Sequence, residues 1–186
     1  MPFVTTPFPG LIVFEPKVFE DSRGYFFESF SEKVFQENNI NIRFVQDNQS
    51  KSSYGVVRGL HYQRPPFAQS KLVRVLNGVI LDIVADLRVG SPTYSQTYSI
   101  ELSSANRKQL LIPKGFAHGF SVLSEVAEVL YKCDEYYHKE SESGIIYNDT
   151  RLSIDWQIPA GEEIISEKDK LQPSFDSYAG EFIFIP

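Results

Sequence analysis

The apolar residues of this chain occur in short alternating runs that are separated by turn residues, and no long helical stripe is present. Glycine and proline, 11 of each in 186 residues, punctuate these runs. Period-two alternation with frequent turn signals is typical of β-sandwiches and β-barrels. The pattern therefore predicts an all-β fold with a few short helices. No repeat or linker divides the chain, so we expect one domain over residues 1–186.

The predicted strands share this alternation and are bounded by Gly, Pro, Asn or Ser. They are Leu11–Phe14, Tyr25–Phe30, Val56–Gln63, Lys71–Leu76, Val79–Leu87, Tyr98–Leu102, Gln109–Pro113, Phe116–Leu123 and Ala127–Lys132, with Ile145–Tyr147 and Leu152–Trp156 as edge strands. Asn77-Gly78 predicts a hairpin between its two flanking runs, and the runs on either side of Ser124-Glu125 are expected to pair. Ser31 is expected to cap a short helix that ends near Glu37.

Phe44–Ser50 begins as a strand and continues into a cluster of amide side chains. Amides both donate and accept hydrogen bonds, as the hydroxyls and the carbonyl of a sugar require. A loop of Asn and Gln is an equally good interpretation. On the preceding Tyr25–Phe30 run, alternation places Phe26, Glu28 and Phe30 on one face, where a nucleobase site and a solvated edge strand are both open.

The strand Val56–Gln63 carries Arg58 and His61 close together. Strict alternation would point these two side chains to opposite faces. A bulge at Gly59 would bring them to one face, and a residue without Cβ also allows a close approach. Lys71 opens the next strand and adds a second cation. Two cations and an imidazole indicate an anionic substrate.

The chain has only three histidines. His118 lies among small and apolar residues, where an imidazole must find a partner or lose its charge. Asp82 lies in an apolar strand and needs a partner too, for which a histidine is suitable. His138 is expected to be solvated. On pattern alone, Asp169 is a solvated residue at a strand end.

Composition narrows the classes of function. A net charge of −6 argues against non-specific nucleic-acid binding. One cysteine, Cys133, excludes an internal disulfide and fits a reducing compartment. No apolar run approaches the ~18 residues of a membrane span, and no leader pattern is visible. We therefore expect a cytoplasmic protein without a membrane partner. No His-x-His pair is present, which disfavours a metal-dependent cupin and indicates no metal site.

Seven runs together resemble the dTDP-4-dehydrorhamnose 3,5-epimerase family, and the resemblance covers nearly the whole chain. They are Phe19–Glu28, Gln46–Asn48, Arg58–Gln63, Lys71–Val75, Pro113–Phe120, Tyr131–Lys132 and Ser166–Asp169. The resemblance implies a cupin-like jelly-roll β-barrel that works as a homodimer without metal or redox cofactor. Its implied activity is inversion of C3 and C5 of dTDP-4-keto-6-deoxy-D-glucose, giving dTDP-4-keto-L-rhamnose.

The resemblance also implies catalytic roles. His61 matches the base that removes a proton beside the ketone, and Asp169 matches the carboxylate that orients it. Tyr131 matches the acid on the opposite face of the sugar. Lys71 matches the cation near the ketone oxygen. An epimerase that passes through an enolate needs a base, an acid and an oxyanion partner of this kind.

Eight positions match substrate contacts of the family. These are Arg23 and Arg58 for pyrophosphate, Gln46 and Asn48 for sugar or nucleotide, Phe26 and Glu28 for thymine, Tyr137 near the nucleotide, and His118, which with Asp82 resembles a second imidazole–carboxylate pair at the pocket border. The resemblance implies that Arg23, Phe26 and Glu28 come from the neighbouring subunit.

Three other functions remain open from the sequence. A mono-epimerase would invert only C3 or only C5, and a ketoisomerase would move the carbonyl of a related nucleotide sugar. A non-catalytic sugar-binding jelly roll belongs to another class, and it would not need the combination of His61, Lys71, Tyr131 and Asp169.

Overall fold

The computed structural model describes residues 2–186, and this part of the chain is built mainly from β-strands. The strands are β1 (Phe3–Thr5), β2 (Ile12–Phe14), β3 (Val18–Asp21), β4 (Gly24–Phe27), β5 (Gln46–Ser53), β6 (Val56–Gln63), β7 (Lys71–Asn77), β8 (Val79–Asp86), β9 (Thr97–Ser103), β10 (Gln109–Ile112), β11 (Phe116–Val122), β12 (Val126–Cys133), β13 (Glu142–Gly144) and β14 (Ile164–Ile165), and the α-helices are α1 (Glu32–Glu37) and α2 (Glu167–Lys170). The predicted all-β fold with a few short helices is confirmed.

Two larger sheets form the body of the fold. The first has the strand order β1-β2-β10-β7-β12-β5, and the second has the order β13-β6-β11-β8-β9, with β14 added in parallel beside β6. The other pairings are antiparallel, and β3 and β4 form a separate two-stranded hairpin. This is the jelly-roll arrangement that the sequence predicted.

The main core lies between the sheets, because alternate residues of each strand point inward. Val73, Val75 and Leu110 from the first sheet belong to the same buried cluster as Val84 and Phe120 from the second. Full burial of each such side chain contributes about 1.5–3 kcal/mol. Because apolar side chains fill the space between the sheets, polar side chains lie where the barrel opens.

Two strand pairings expected from the sequence are wrong. The strand β7 pairs with β10 and β12, whereas β8 pairs with β9 and β11, so the Asn77-Gly78 turn carries the chain between sheets instead of closing a hairpin. The same holds for β11 and β12. Local turn chemistry fixes the reversal of the chain but not which neighbour each strand selects.

The expected edge strands Ile145–Tyr147 and Leu152–Trp156 are also wrong, since both segments are irregular. Ile145 exchanges two backbone hydrogen bonds with Leu60 of β6, which extends the β13 pairing by one residue, and the ladder stops there. The apolar residues of both segments pack against the second sheet. The buried Asp149 carboxylate accepts hydrogen bonds from the backbone N–H groups of Leu152 and Phe175 at 3.0 and 2.7 Å. A side chain therefore satisfies backbone groups that a strand ladder would otherwise satisfy.

One local expectation is confirmed and two need small changes. The helix α1 begins after Ser31, whose hydroxyl accepts from the Val34 N–H, as predicted. The strand β4 ends at Phe27, before Glu28 and Phe30. The amide cluster that starts at Gln46 is strand β5 and not a loop, because β12 pairs with it along its whole length. Among residues 2–186, no helix is long and apolar enough to cross a membrane.

Candidate active site

A polar pocket of about 120 Å³ lies between the two sheets and is lined by six of the twelve site residues named from the sequence. Its walls come from β5, β6, β7 and β12 and from the segment after β12. The lining residues are Gln46, Asn48, His61, Tyr62, Gln63, Gln69, Lys71, Tyr131, Tyr137 and Glu142. The first sheet supplies Lys71 and Tyr131, and the second supplies His61, so the two groups enter from facing walls.

The predicted bulge on β6 is present. Arg58 and His61 pair with Phe120 and His118 of β11, so two residues of β6 lie opposite the single Gly119. The register shift gives Arg58 and His61 the same face despite their spacing. Gly59 has φ +128, and a Cβ there would lie 2.6 Å from the Gly119 Cα. Only glycine fits this crossing of two backbones.

His61 is held by a buried carboxylate. Its Nε2 lies 2.6 Å from Oδ1 of Asp169, and the Gly59 N–H donates to Oδ2 at 3.3 Å. Asp169 lies in α2, where its own N–H donates to the capping hydroxyl of Ser166. Burial alone would raise the pKa of Asp169, but the hydrogen bond and charge of His61 and the Gly59 N–H hold this pKa below its usual value. Asp169 therefore remains an anion beside the imidazole.

The pattern-based expectation that Asp169 is solvated is wrong, because the residue is buried. The pairing implied by the family resemblance is the one the structure contains. The Ser166 cap turns the chain into one helical turn that points Asp169 at β6.

Tyr131 and Lys71 form the facing wall. The Lys71 Nζ lies 5.8 Å from the centroid of the Tyr131 ring. Burial raises the pKa of Tyr131, so the phenol keeps its proton at neutral pH. Burial lowers the pKa of Lys71, and the nearby Asp82 and Glu142 charges oppose that shift. Cys133 pairs with Lys71 across the strands, and burial raises its pKa to about 11, so it is a neutral thiol.

The amides of β5 connect this wall to the pocket mouth. Gln46 Nε2 donates to Asn48 Oδ1 at 3.0 Å, and Gln46 Oε1 accepts from the Tyr137 N–H at 3.0 Å. Asn48 lies directly opposite Tyr131 across the ladder. The exposed Tyr137 ring is thus held over the opening.

The second imidazole–carboxylate pair lies behind the pocket. His118 Nε2 is 2.9 Å from Asp82 Oδ2, and both side chains are buried. Burial lowers the pKa of His118 in spite of the opposing Asp82 charge. Among residues 2–186, Asp82 Oδ1 has no hydrogen-bond partner. His118 is not among the residues that line the pocket.

Arg23, Phe26 and Glu28 lie away from this pocket, on or just after the β3–β4 hairpin. Arg23 pairs with Asp21 at 2.6 Å at the exposed tip. Phe26 and Glu28 line a separate cavity of about 590 Å³. Arg58 is exposed, and its Nε donates to Ser52 Oγ at 3.1 Å. One chain therefore gathers His61, Asp169, Lys71, Tyr131, Gln46, Asn48 and Tyr137, but it leaves the hairpin residues apart.

Sequence reasoning missed two polar residues that line the pocket and hold the segment after β12. Glu142 lines it, accepts from the Tyr137 hydroxyl at 2.9 Å and pairs with Lys168 at 2.6 Å. Gln63 is buried; it donates to the Tyr136 carbonyl and accepts from the His138 N–H at 3.1 and 2.8 Å. Both residues fix the segment that carries Tyr137. The position of Gln63 two residues after His61 was the available signal, since the two share a face.

Comparison with known proteins decides the family. The family model described as dTDP-4-dehydrorhamnose 3,5-epimerase matches residues 5–177. The chain belongs to the dTDP-4-dehydrorhamnose 3,5-epimerase family. It is an isomerase-class enzyme, as the sequence resemblance predicted. No group of three or more His, Cys, Asp and Glu side chains is gathered as metal ligands within residues 2–186.

Individual relatives of this epimerase family match over nearly their whole length. The dTDP-4-dehydrorhamnose 3,5-epimerase of Methanothermobacter thermautotrophicus is 50% identical over 90% of this chain and 91% of its own. The crystal structure of the Elizabethkingia anophelis epimerase is 52% identical with a TM-score of 0.90, covering 94% of this chain and 96% of that one. A Legionella pneumophila epimerase, crystallised with dTDP-4-keto-L-rhamnose, is 46% identical with a TM-score of 0.91, covering 99% and 98%.

Proposed function

We propose that this chain inverts both C3 and C5 of dTDP-4-keto-6-deoxy-D-glucose and releases dTDP-4-keto-L-rhamnose, with no cofactor. The observation that carries the proposal is that His61 and Tyr131 line one pocket from facing sheets. Inversion requires a proton to leave one face of a carbon and another to arrive on the opposite face. The names of the relatives and the ligand of the Legionella protein support this substrate class.

His61 is the proposed base. Because the ionised Asp169 accepts from Nε2, the free lone pair of the imidazole is at Nδ1. That nitrogen takes the proton from the carbon next to the ketone, and Asp169 stabilises the imidazolium that forms. The electron pair of the C–H bond becomes the enolate double bond, and negative charge collects on the ketone oxygen.

Lys71 and Tyr131 complete the proposed step. The Lys71 ammonium stabilises the enolate oxygen, an interaction that strengthens in a pocket from which the sugar has displaced water. The Tyr131 hydroxyl then donates its proton to the opposite face of the carbon; solvent returns a proton to the phenolate and takes the proton from the His61 imidazolium, so both groups are ready for the next step. Its raised pKa keeps the donor protonated at neutral pH. The sequence is repeated at the second carbon.

Nucleotide recognition is proposed to involve two copies of the chain. Tyr137 stands over the pocket mouth, and Arg58 lies on the His61 face of β6. Arg23, Phe26 and Glu28 lie too far along the hairpin to join their own pocket, and Phe26 is 71% exposed. A homodimer in which this hairpin covers the neighbouring pocket would supply the thymine and pyrophosphate contacts, while His118 supports the sugar end from behind.

The experiment that tests the reaction is conversion in deuterated water. The protein is incubated with dTDP-4-keto-6-deoxy-D-glucose, and the sugar is followed by proton NMR. Deuterium at both C3 and C5 in a rhamno-configured product supports the double epimerase. Exchange at one carbon indicates a mono-epimerase, and a moved carbonyl indicates a ketoisomerase. No exchange despite binding contradicts catalysis and leaves the sugar-binding jelly roll.

Tyr131→Phe separates the acid from the base in the same assay. The variant keeps the ring but lacks the proton, so formation of the inverted product is expected to fall by about 10²–10⁴-fold. Exchange started by His61 is expected to continue, because the base is unchanged. Loss of inversion and of exchange to the same extent would contradict the proposed division of roles.

A further inference from the structure

A second polar pocket, of about 260 Å³, lies on the outer side of the first sheet, beneath the β3–β4 hairpin. The hairpin contributes Tyr25 and Phe27, and Ser29 follows it. The sheet side contributes Arg74 from β7, with Ser104 and Arg107 from the loop between β9 and β10. Among residues 2–186, no acidic side chain lines this pocket. Every polar side chain on its wall can donate a hydrogen bond.

The sheet and the loop before β10 bring the two arginines to one pocket. Arg74 lies directly opposite Gln109 on β10, and side chains opposite each other share one face. Arg107 lies in the loop just before β10, where its backbone is left-handed with φ +56, and its side chain lines the same pocket. The Gln109 amide donates to the Ser29 carbonyl at 2.7 Å, which ties the end of the hairpin to the sheet between the two cations.

Both arginines have unused donors. Within residues 2–186, Arg74 makes no ion pair, its Nε is buried, and that Nε has no acceptor. Arg107 pairs with Glu20 through Nη1 at 3.1 Å, but its buried Nε also lacks an acceptor. These two atoms are two of the three buried side-chain N and O atoms without a partner in the described chain. Proteins rarely leave such groups unpaired without a bound ion or water.

Aromatic rings hold the guanidinium groups in place. Arg107 lies 4.2 Å from the Tyr25 ring centroid, and Arg74 lies 5.8 Å from that of Phe27. Ring contacts fix the plane of a guanidinium but leave its edge free for an anion. Burial lowers the pKa of Arg74, and a bound anion would offset this cost of burying its charge.

We propose that this pocket binds a small tetrahedral oxyanion of the phosphate class. The guanidinium edges of Arg74 and Arg107 supply charge-assisted hydrogen bonds, and the hydroxyls of Ser29 and Ser104 complete the set of donors. The site differs from the nucleotide-phosphate contacts proposed for Arg58 and Arg23. It does not depend on the proposed reaction, so its failure leaves that reaction untouched.

The occupied pocket has a structural consequence. The anion would join the hairpin to β7 and to the β9–β10 loop through residues of all three. The direct contacts that now hold these parts together are the Gln109 hydrogen bond, the Arg107–Glu20 ion pair and the ring contacts. We therefore expect phosphate to stabilise the folded protein and to slow hydrogen exchange in the hairpin.

The test is calorimetric titration of inorganic phosphate into the full-length protein at constant ionic strength, in an Arg58→Gln background that weakens phosphate binding at the nucleotide site. One site is expected. Adding Arg74→Gln is expected to weaken it by about tenfold or more, since a charge-assisted bond is lost. Arg43→Gln, at an exposed arginine outside the pocket, is the matched control and is expected to change nothing. Equal affinity with and without Arg74→Gln would overturn the proposal.

Ser104→Asp tests the same pocket without removing a cation. Its carboxylate would occupy the anion position, so the melting temperature is expected to rise without phosphate, and the response to phosphate is expected to disappear. A lower melting temperature with an unchanged phosphate response would contradict the site.

Sedimentation velocity adds a further check. If Arg74→Gln only weakens self-association and phosphate does not bind, the proposal is wrong and the arginines serve a contact between copies of the chain instead.

Discussion

Two imidazole–carboxylate pairs meet at the neighbouring strands β6 and β11 and differ in what surrounds them. His61 and His118 are direct partners across β6 and β11, so their backbones lie side by side. The His61 side chain is 33% exposed and opens to the pocket, whereas that of His118 is 7% exposed. Asp169 has both carboxylate oxygens engaged, whereas Asp82 uses only one within the described chain.

The difference in exposure determines which pair can exchange protons with a substrate. A base needs access to the reacting carbon and a partner that stabilises its charged form. His61 has both. His118 is sealed, and burial lowers its pKa, which favours a neutral ring that supports the wall. We therefore expect substitutions at the two pairs to have different effects, although the two pairs have the same side-chain chemistry.

The largest contrast is expected from the two histidine-to-asparagine variants. His61→Asn removes the proposed base and is expected to lower kcat by about 10²–10⁴-fold with little change in stability. His118→Asn, the matched control, is expected to retain much more activity but to unfold more easily. Steady-state rates and urea unfolding of both variants measure the contrast. Equal losses of kcat would mean that the two pairs do not differ in role.

The next effect concerns the carboxylate that partners His61. Asp169→Asn keeps the size of the side chain but removes the charge that stabilises the imidazolium, so kcat is expected to fall by about 10²-fold. Steady-state rates of Asp169→Asn and of Asp169→Glu, which keeps the charge, check this. Equal losses of kcat in the two variants would show that the position of the carboxylate, and not its charge, is what matters.

A smaller effect, on stability, is expected at the sealed pair. Asp82→Ala leaves the buried Nε2 of His118 without an acceptor, which costs about 1–3 kcal/mol in unfolding free energy. In Asp169→Ala the half-exposed His61 can bind water instead, so the cost is expected to be lower. Urea unfolding of both variants ranks them. The reverse order would contradict the difference in burial as the cause.

The smallest effect is in the pH dependence of stability. The folded-state pKa of His118 is lowered, so the unfolded chain binds a proton that the folded chain refuses. Stability therefore falls as pH drops below about 6.5, by at most about 1.4 kcal/mol per pH unit. The lowered pKa of Asp169 acts in the same direction but nearer pH 4. His118→Gln is expected to reduce the pH dependence of the unfolding free energy only between pH 7 and 5. An unchanged pH dependence in that range would contradict this assignment.

Much of the fold was predictable, because alternation and turn residues act locally. The strand limits of β6, β7 and β8 and the Ser31 cap followed from such signals. The pairing partners of the strands could not be predicted in this way. The turns at Gly78 and at Ser124 lead from one sheet to the other, and this path is favoured because it buries the apolar faces of both sheets. The segment around Trp156 was predicted to be a strand because its apolar pattern resembles one. In the structure, that pattern reflects packing against the second sheet and not strand pairing.

The site was predictable in part for similar reasons. The Gly59 bulge follows from residue chemistry, which also indicates that Asp82 needs a partner such as a histidine; the family resemblance implied that this partner is His118, and the structure contains both features. Asp169 was indistinguishable from a surface acid, since its burial comes from a helical turn that lies 108 residues after His61. Only the family resemblance indicated that pair. The roles of the hairpin residues stay predictions, because they depend on a second copy of the chain.

The most direct test of the central claim is deuterium entry at C3 of dTDP-4-keto-6-deoxy-D-glucose, measured by NMR for the native chain and for the His61→Asn and His118→Asn variants. Exchange reports proton removal itself and does not require completed inversion. The account predicts that His61→Asn shows no exchange above background, while His118→Asn still exchanges. Exchange that persists in His61→Asn and disappears in His118→Asn would show that the base is the other imidazole.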